Sequence, residues 1–310
     1  MSVIEKAAKR LEELRRAGIE VPSETEQSAA SSLFQSTADA AVALATSRVL
    51  QSPNANGASV ISRVPSSAAT FFGLDLARLA KDGFVTPDMP RSRIADEFRI
   101  VKRPLIANAS GKRVQPLKNA NLIMVTSAVP GEGKTFSAVN LAMSIATELD
   151  QTVLLVDADV ARPSLPRVLG LPSAGKGLLD ALQSKSFDLG RALIRTNVEK
   201  LTVLPSGTPH ANATELLASD AMVKLLDEMA NRYSDRIIIF DSPPLLVTTE
   251  ARVLATLMGQ ILFVVRAEST LQSDVKRALG TIEACPVKLV LFNQARTVAQ
   301  GAYGYGYGYH

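Results

Sequence analysis

The chain has 310 residues, 46% of them hydrophobic and 21% charged, with a formal net charge of +4; this is enough for one sizeable α/β domain with appendages or for two small domains. A single cysteine, Cys285, excludes an intramolecular disulfide and a cysteine-cluster metal site, which fits a reducing compartment. No apolar run approaches the roughly 18 to 20 residues of a spanning helix, and the N-terminus lacks a signal-peptide core, so a cytoplasmic protein is expected, held at a membrane only through a partner.

In chain order, Val3 to Ala17 reads as a short amphipathic helix: Ile4, Ala7, Leu11 and Leu14 recur at helical spacing, charged residues cover the other faces, and Gly18 ends it. It is either a docking element or a frayed extension. Residues 19–90 read as a disordered Ser/Ala-rich linker, because Ser23 to Ser67 is dominated by Ser, Ala, Thr, Gln and Asn and offers too little apolar surface to offset chain entropy. The basic residues Arg91, Arg93, Arg99, Lys102, Arg103, Lys112, Arg113 and Lys118 form either a solvated face or a patch attracted to an anionic membrane surface. No recognition-helix, zinc-finger or aromatic RNA-binding signature accompanies them, so nucleic acid is not an expected partner.

From Asn119 short apolar runs alternate with helical stretches, and residues 91–295 read as the folded domain. Asn121 to Ser127, Thr152 to Val156, Leu201 to Leu204, Arg236 to Phe240, Gln260 to Val265 and Val287 to Phe292 are the expected strands. Apolar content without alternation means burial on both faces, as in a doubly wound, mostly parallel sheet between two helix layers.

The first of these strands runs into Ser127-Ala-Val-Pro-Gly-Glu-Gly-Lys-Thr135, followed by a helix over Phe136 to Leu149. Strand, glycine-containing loop, Lys-Thr and helix make a P-loop. Val129, Pro130, Gly131, Glu132 and Gly133, with Lys134, Thr135 and Phe136, are the expected nucleotide-binding set. Lys134 would reach the β- and γ-phosphates, and Thr135 would ligate Mg²⁺. Ala128 stands where the pattern has its first glycine. Asp157 and Asp159 follow the second strand and Asp241 the fourth, at the carboxyl edge beside the loop, where carboxylates hold Mg²⁺. Asn293, ending the last strand, either offers donor and acceptor to an adenine edge or closes a turn. His210 has no partner suggesting a metal site or a triad.

The final residues, 296–310, form a tail in which four of the five tyrosines, Tyr303, Tyr305, Tyr307 and Tyr309, alternate with glycine. Such a segment is a poor structural element and an accessible phosphate acceptor.

Taken together, SAVPGEGKT at Ser127 to Thr135, LLVDADVARP at Leu154 to Pro163, IIIFDSPP at Ile237 to Pro244 and the terminal tyrosines resemble the bacterial tyrosine kinase family, P-loop NTPases of the deviant Walker A type. LTVLPSG at Leu201 to Gly207 and NATELL at Asn212 to Leu217 are secondary matches. With its MSVIEKAAKRLEELRRAG start and no fused membrane domain, the chain looks most like autokinases linked to exosortase-type exopolysaccharide loci.

The resemblance implies ATP and Mg²⁺ as cofactors, with Lys134, Asp157, Asp159 and Asp241 catalytic. It implies Thr135, Asp157, Asp159 and Asp241 as metal ligands, Arg162 near the nucleotide, and Tyr303, Tyr305, Tyr307 and Tyr309 as acceptors. It further implies control of exopolysaccharide or capsule synthesis and export, a membrane chain-length co-polymerase as activator, a cognate tyrosine phosphatase, a homo-oligomeric ring, and recruitment to the inner face of the plasma membrane. Two positions depart from the family: Ala161 where arginine is frequent, and an acidic-x-x-Arg-x-x-Arg subunit-contact element present only as Asp96, Arg99 and Lys102. The alternatives are a switch resembling the partitioning and division-site ATPases, whose early signature lysine is replaced here by Val129, and a non-catalytic assembly module.

Overall fold

Nine α-helices, one short 3-10 helix (Leu189–Arg191) and eight strands build the described part of the chain, and the strands explain the apolar runs. In the computed structural model, which describes residues 69–110, 117–172, 175–184, 186–232 and 236–296, the elements run β1 (Thr70–Phe72), α1 (Leu76–Lys81), α2 (Arg93–Ala109), β2 (Leu122–Ser127), α3 (Lys134–Ala146), β3 (Thr152–Asp157), α4 (Leu165–Leu169) and α5 (Leu178–Gln183). There follow β4 (Ile194–Thr196), β5 (Leu201–Leu204), α6 (Ala213–Leu217), α7 (Asp220–Arg232), β6 (Arg236–Asp241), α8 (Thr249–Leu257), β7 (Gln260–Arg266), α9 (Gln272–Gly280) and β8 (Val287–Asn293). They form one sheet of order β1-β4-β5-β3-β6-β2-β7-β8. The six expected strands pair in parallel, while β4 pairs antiparallel with β5 and β1 pairs parallel with β4, so those two short strands run against the rest.

Central β2 shows why its sequence does not alternate. Leu122 and Met124 enter one core layer with α5 to α9, while Ile123 and Val125 enter the other with α1 to α4, and all four are fully buried. Two helix layers demand apolar side chains at every position. The edge strand β8 departs from this expectation: Leu289 and Leu291 pack inward, whereas Lys288, Val290 and Phe292 are exposed. It is covered on one face only.

Two further expectations are corrected. The folded body begins before residue 91. Leu74, Leu79 and Val85 lie in the core, Asn197 exchanges two hydrogen bonds with the Leu74 backbone, and Asn140 Oδ1 accepts from Val85 N at 2.6 Å. These anchors are too sparse to show a period, so composition alone hid them. The helix after the phosphate loop starts at Lys134 and ends at Ala146, because Gly133, with φ of 93°, forms its N-cap.

Helix α2 lies along α3, and Lys102 joins them. Its buried Nζ donates to Ser144 O at 2.5 Å and pairs with Glu148 at 2.6 Å. Of the element Asp96, Arg99 and Lys102, the first two pair with each other on the surface and the third faces inward. The N-terminal helix, the linker up to residue 68 and the tyrosine tail lie outside the described residues.

Candidate active site

The site is built at the carboxyl ends of β2, β3 and β6, where strand order around β2 reverses direction and a crevice opens. Residues Ala128 to Gly133 turn from β2 into α3, whose first-turn N–H groups and positive dipole end face the same crevice. Ala128 is fully buried and lies outside the left-handed region, so this position tolerates a methyl group where the pattern has glycine. Gly133 is different. A Cβ there would stand 2.0 Å from Asn293 Nδ2, and its φ is left-handed.

Asp157 and Asp241 close their strands as direct register partners, which puts their carboxyl groups side by side. Both are fully buried. Burial, then the neighbouring Asp241 charge, pushes Asp157 up to about 8. Burial likewise pushes Asp241 up to about 6, against the Thr135 hydroxyl and the Lys134 charge, which pull it down. Asp157 Oδ2 accepts from Leu165 N at 3.1 Å, yet Asp157 Oδ1 and Asp241 Oδ1 have no partner. Two crowded acids, each with a bare buried oxygen, are what a divalent cation would relieve. Among the described residues no cage of three or more carboxylate, imidazole or thiolate ligands exists. The two carboxylates with their bare oxygens fit Mg²⁺, which is held by one or two carboxylates and completed by phosphate oxygens and water.

Lys134 Nζ lies 3.4 Å from Asp159 Oδ2, both largely buried, so the lysine is kept beside the crevice by its counter-charge. Asp159 Oδ1 also accepts from Arg162 N at 3.2 Å. The Arg162 side chain is exposed. Thr135 Oγ1 and Ser164 Oγ are 2.8 Å apart, and Ser164 Oγ reaches Asp241 Oδ2 at 3.4 Å. Ser164 is thus a site residue that sequence reasoning missed; its only signal is its place as the N-cap of α4, just after Pro163.

Phe136 packs on Phe84, ring centroids 5.0 Å apart. Beside it a cavity of about 480 Å³, bordered by Arg93, Phe98, Gly133, Phe136, Phe292 and Asn293, adjoins the loop. Asn293 lines this cavity, but its amide is engaged within the chain: Nδ2 donates to Glu132 O at 2.9 Å and Oδ1 accepts from Gln294 N at 3.0 Å. Glu132, one of the expected nucleotide-binding set, is buried with its carboxylate turned into the protein. The expected acceptors Tyr303, Tyr305, Tyr307 and Tyr309 lie outside the described residues.

A P-loop between β2 and α3 with paired carboxylates at the ends of β3 and β6 defines a nucleotide-binding domain, and a family model described as an AAA domain matches residues 120–287. Tyrosine-protein kinase YwqD of Bacillus subtilis is 30% identical over 218 residues, covering 70% of this chain and 87% of YwqD. Tyrosine-protein kinase Wzc of Salmonella typhimurium is 29% identical over 189 residues, covering 60% of this chain but 26% of Wzc. The kinase domain of Escherichia coli tyrosine kinase ETK superposes with a TM-score of 0.58 at 29% identity, covering 73% of this chain and 86% of that domain. The chain belongs to the bacterial tyrosine-kinase family.

Proposed function

We propose that the chain uses Mg-ATP to phosphorylate tyrosines, chiefly Tyr303, Tyr305, Tyr307 and Tyr309 of its own tail, and so regulates the synthesis and export of an exopolysaccharide. The observation that carries this reading is the pair of unpartnered buried oxygens, Asp157 Oδ1 and Asp241 Oδ1, beside Lys134 and Thr135 in a P-loop crevice.

The loop amides and the start of α3 bind the phosphates, and Lys134 leaves Asp159 to meet the β- and γ-phosphates. Thr135, Asp157 and Asp241, with Asp159 behind them, would hold magnesium, which when bound neutralises charge on the transferring phosphoryl group. The cavity beside Phe136 receives the base. An incoming phenol, with an ordinary pKa near 10, needs its proton removed, and Asp157, Asp159 and Asp241 are the carboxylates of the crevice that would accept it.

The tail departs just past Asn293, and about ten residues to Tyr303 span at most roughly 33 to 36 Å. That length permits a visit to a neighbouring subunit's site, so transfer in trans within a ring is the proposed mode. The activator is a membrane co-polymerase and the antagonist a tyrosine phosphatase. The matched region is 26% of Wzc, so that relative is a much longer chain. No helix among the described residues is long and apolar enough to cross a membrane.

Incubation with labelled Mg-ATP followed by phosphotyrosine detection tests the proposal. A kinase labels its tail; a nucleotide switch releases phosphate without labelling; an assembly module does neither. Either of the last two outcomes contradicts it.

A further inference from the structure

An acidic side chain inside an anion-binding loop raises a physical problem. Its charge would repel phosphate unless it were turned away and satisfied elsewhere. Glu132 is 1% exposed. Its Oε2 accepts from Val129 N at 2.7 Å, and its Oε1 accepts from the Thr270 hydroxyl and, at 3.4 Å, from Arg266 N. The carboxylate therefore bridges the start of the phosphate loop to the end of β7 and the turn beyond it.

The backbone of the same residue is held from the other side. Asn293, the last residue of β8, donates to Glu132 O at 2.9 Å and sits so close to Gly133 that a methyl group there would collide with it. Asn293 Oδ1 in turn fixes Gln294 N, at a residue with φ of 56°. Glu132 is thus gripped by its side chain and by its carbonyl from the ends of two adjacent strands, and the second grip comes from the strand that leads into the tyrosine tail.

We propose that Glu132 is a positioning residue: by spending its charge on Val129 N and Thr270 it locks the phosphate loop in the shape that receives a triphosphate, with Asn293 as the opposing clamp. The inference rests on the nucleotide-binding reading above. Binding then requires no ordering of the loop, so the brace acts on nucleotide affinity and leaves the chemical step largely untouched. In Glu132→Gln one acceptor oxygen becomes an NH₂ group facing N–H or O–H donors, whereas Thr270→Val removes a single donor from a residue outside the crevice.

The test measures Mg-ATP affinity by calorimetry, and KM for ATP and kcat of tyrosine phosphorylation, on the full chain. Glu132→Gln should weaken ATP binding and raise KM about tenfold, and Thr270→Val about threefold, with kcat changed less than about twofold. Thr270→Val should stay folded and melt several degrees below the parent, since the buried carboxylate loses one donor and keeps Val129 N and Arg266 N. Parent-like affinity in both variants overturns the proposal; if Glu132→Gln fails to fold, parent-like affinity in Thr270→Val overturns it alone. Lys134→Ala separates the two levels of argument. It should lose ATP binding, and if it does not, the nucleotide-site reading itself fails.

Discussion

At the scale of single residues, buried charge decides what each carboxylate does. Asp180 and Asp157 are both buried, yet they are driven in opposite directions. Around Asp180, burial works against the charged form but is outweighed by Lys176, by the N–H groups of Thr208 and Gly177 and by the Thr208 hydroxyl, all within 3.0 Å, and the group is held down to about 2. Around Asp157 burial is reinforced by neighbouring acids, and the group is pushed up to about 8. Asp180 is a fastening between α5 and the loop after β5; Asp157 is a site waiting for positive charge. Because the folded value of Asp180 lies below its unfolded value near 3.9, its stabilisation is present in full above about pH 4 and is lost as the pH falls towards 2. Asp180→Asn should therefore lower stability at pH 7 by on the order of 2 kcal/mol, with the gap to the parent narrowing near pH 2. Urea unfolding at the two pH values checks this, with unchanged slope and shifted midpoint at pH 7. Legibility at this scale followed motif spacing. Lys134, Thr135, Asp157, Asp159 and Asp241 stand in patterns whose chemistry is known from geometry, and the structure brings them together. Ser164 and the side chain of Glu132 were not legible, since one is an ordinary helix cap and the other occupies a position the loop pattern leaves free.

Elements show a different limit. The six long strands could be read because burial on two faces forces an unbroken apolar run, but β1 and β4 are three residues each, Thr70–Phe72 and Ile194–Thr196, too short for any period to emerge. The same reason displaced the domain boundary to residue 91. Helix α2 shows how packing reassigns a residue whose charge pattern suggests a surface role. Lys102 looks like the third member of a contact element, yet its ammonium group caps the carboxyl end of α3, where helix dipole and free carbonyls favour a cation. Lys102→Met keeps the stem and removes the charge. Thr147 still donates to Ser144 O, so that carbonyl is not orphaned. The expected cost is about 1 kcal/mol of unfolding free energy, read as a lower urea midpoint. No loss would mean that the Lys102–Glu148 pair contributes nothing to the α2–α3 contact.

Across the whole molecule, the sheet carries the nucleotide site at its carboxyl edge, and β8, the last described strand, ends at that same edge. Four phosphotyrosines would add about −6 to −8 charges to one short segment, against a formal net charge of +4 for the entire chain. A tail so charged would be repelled from a neighbour's aspartates, so phosphorylation should loosen any oligomer. Sedimentation velocity of phosphorylated and unphosphorylated protein at matched salt should show a smaller species for the former, more clearly at low ionic strength. Identical sedimentation would remove phosphorylation as an assembly control. The tail's role could be proposed from the Tyr-Gly alternation alone, because an accessible hydroxyl needs no fold to present it.

Trypsin cuts after Arg296 and releases Thr297 to His310 as one peptide containing all four tail tyrosines. Mass spectrometry of that peptide, after the purified chain is incubated with Mg-ATP, should find phosphate on its tyrosines in the parent and none in Asp157→Asn, which should still bind nucleotide. A peptide that stays unmodified while ATP is bound, or one labelled equally without Asp157, contradicts the account.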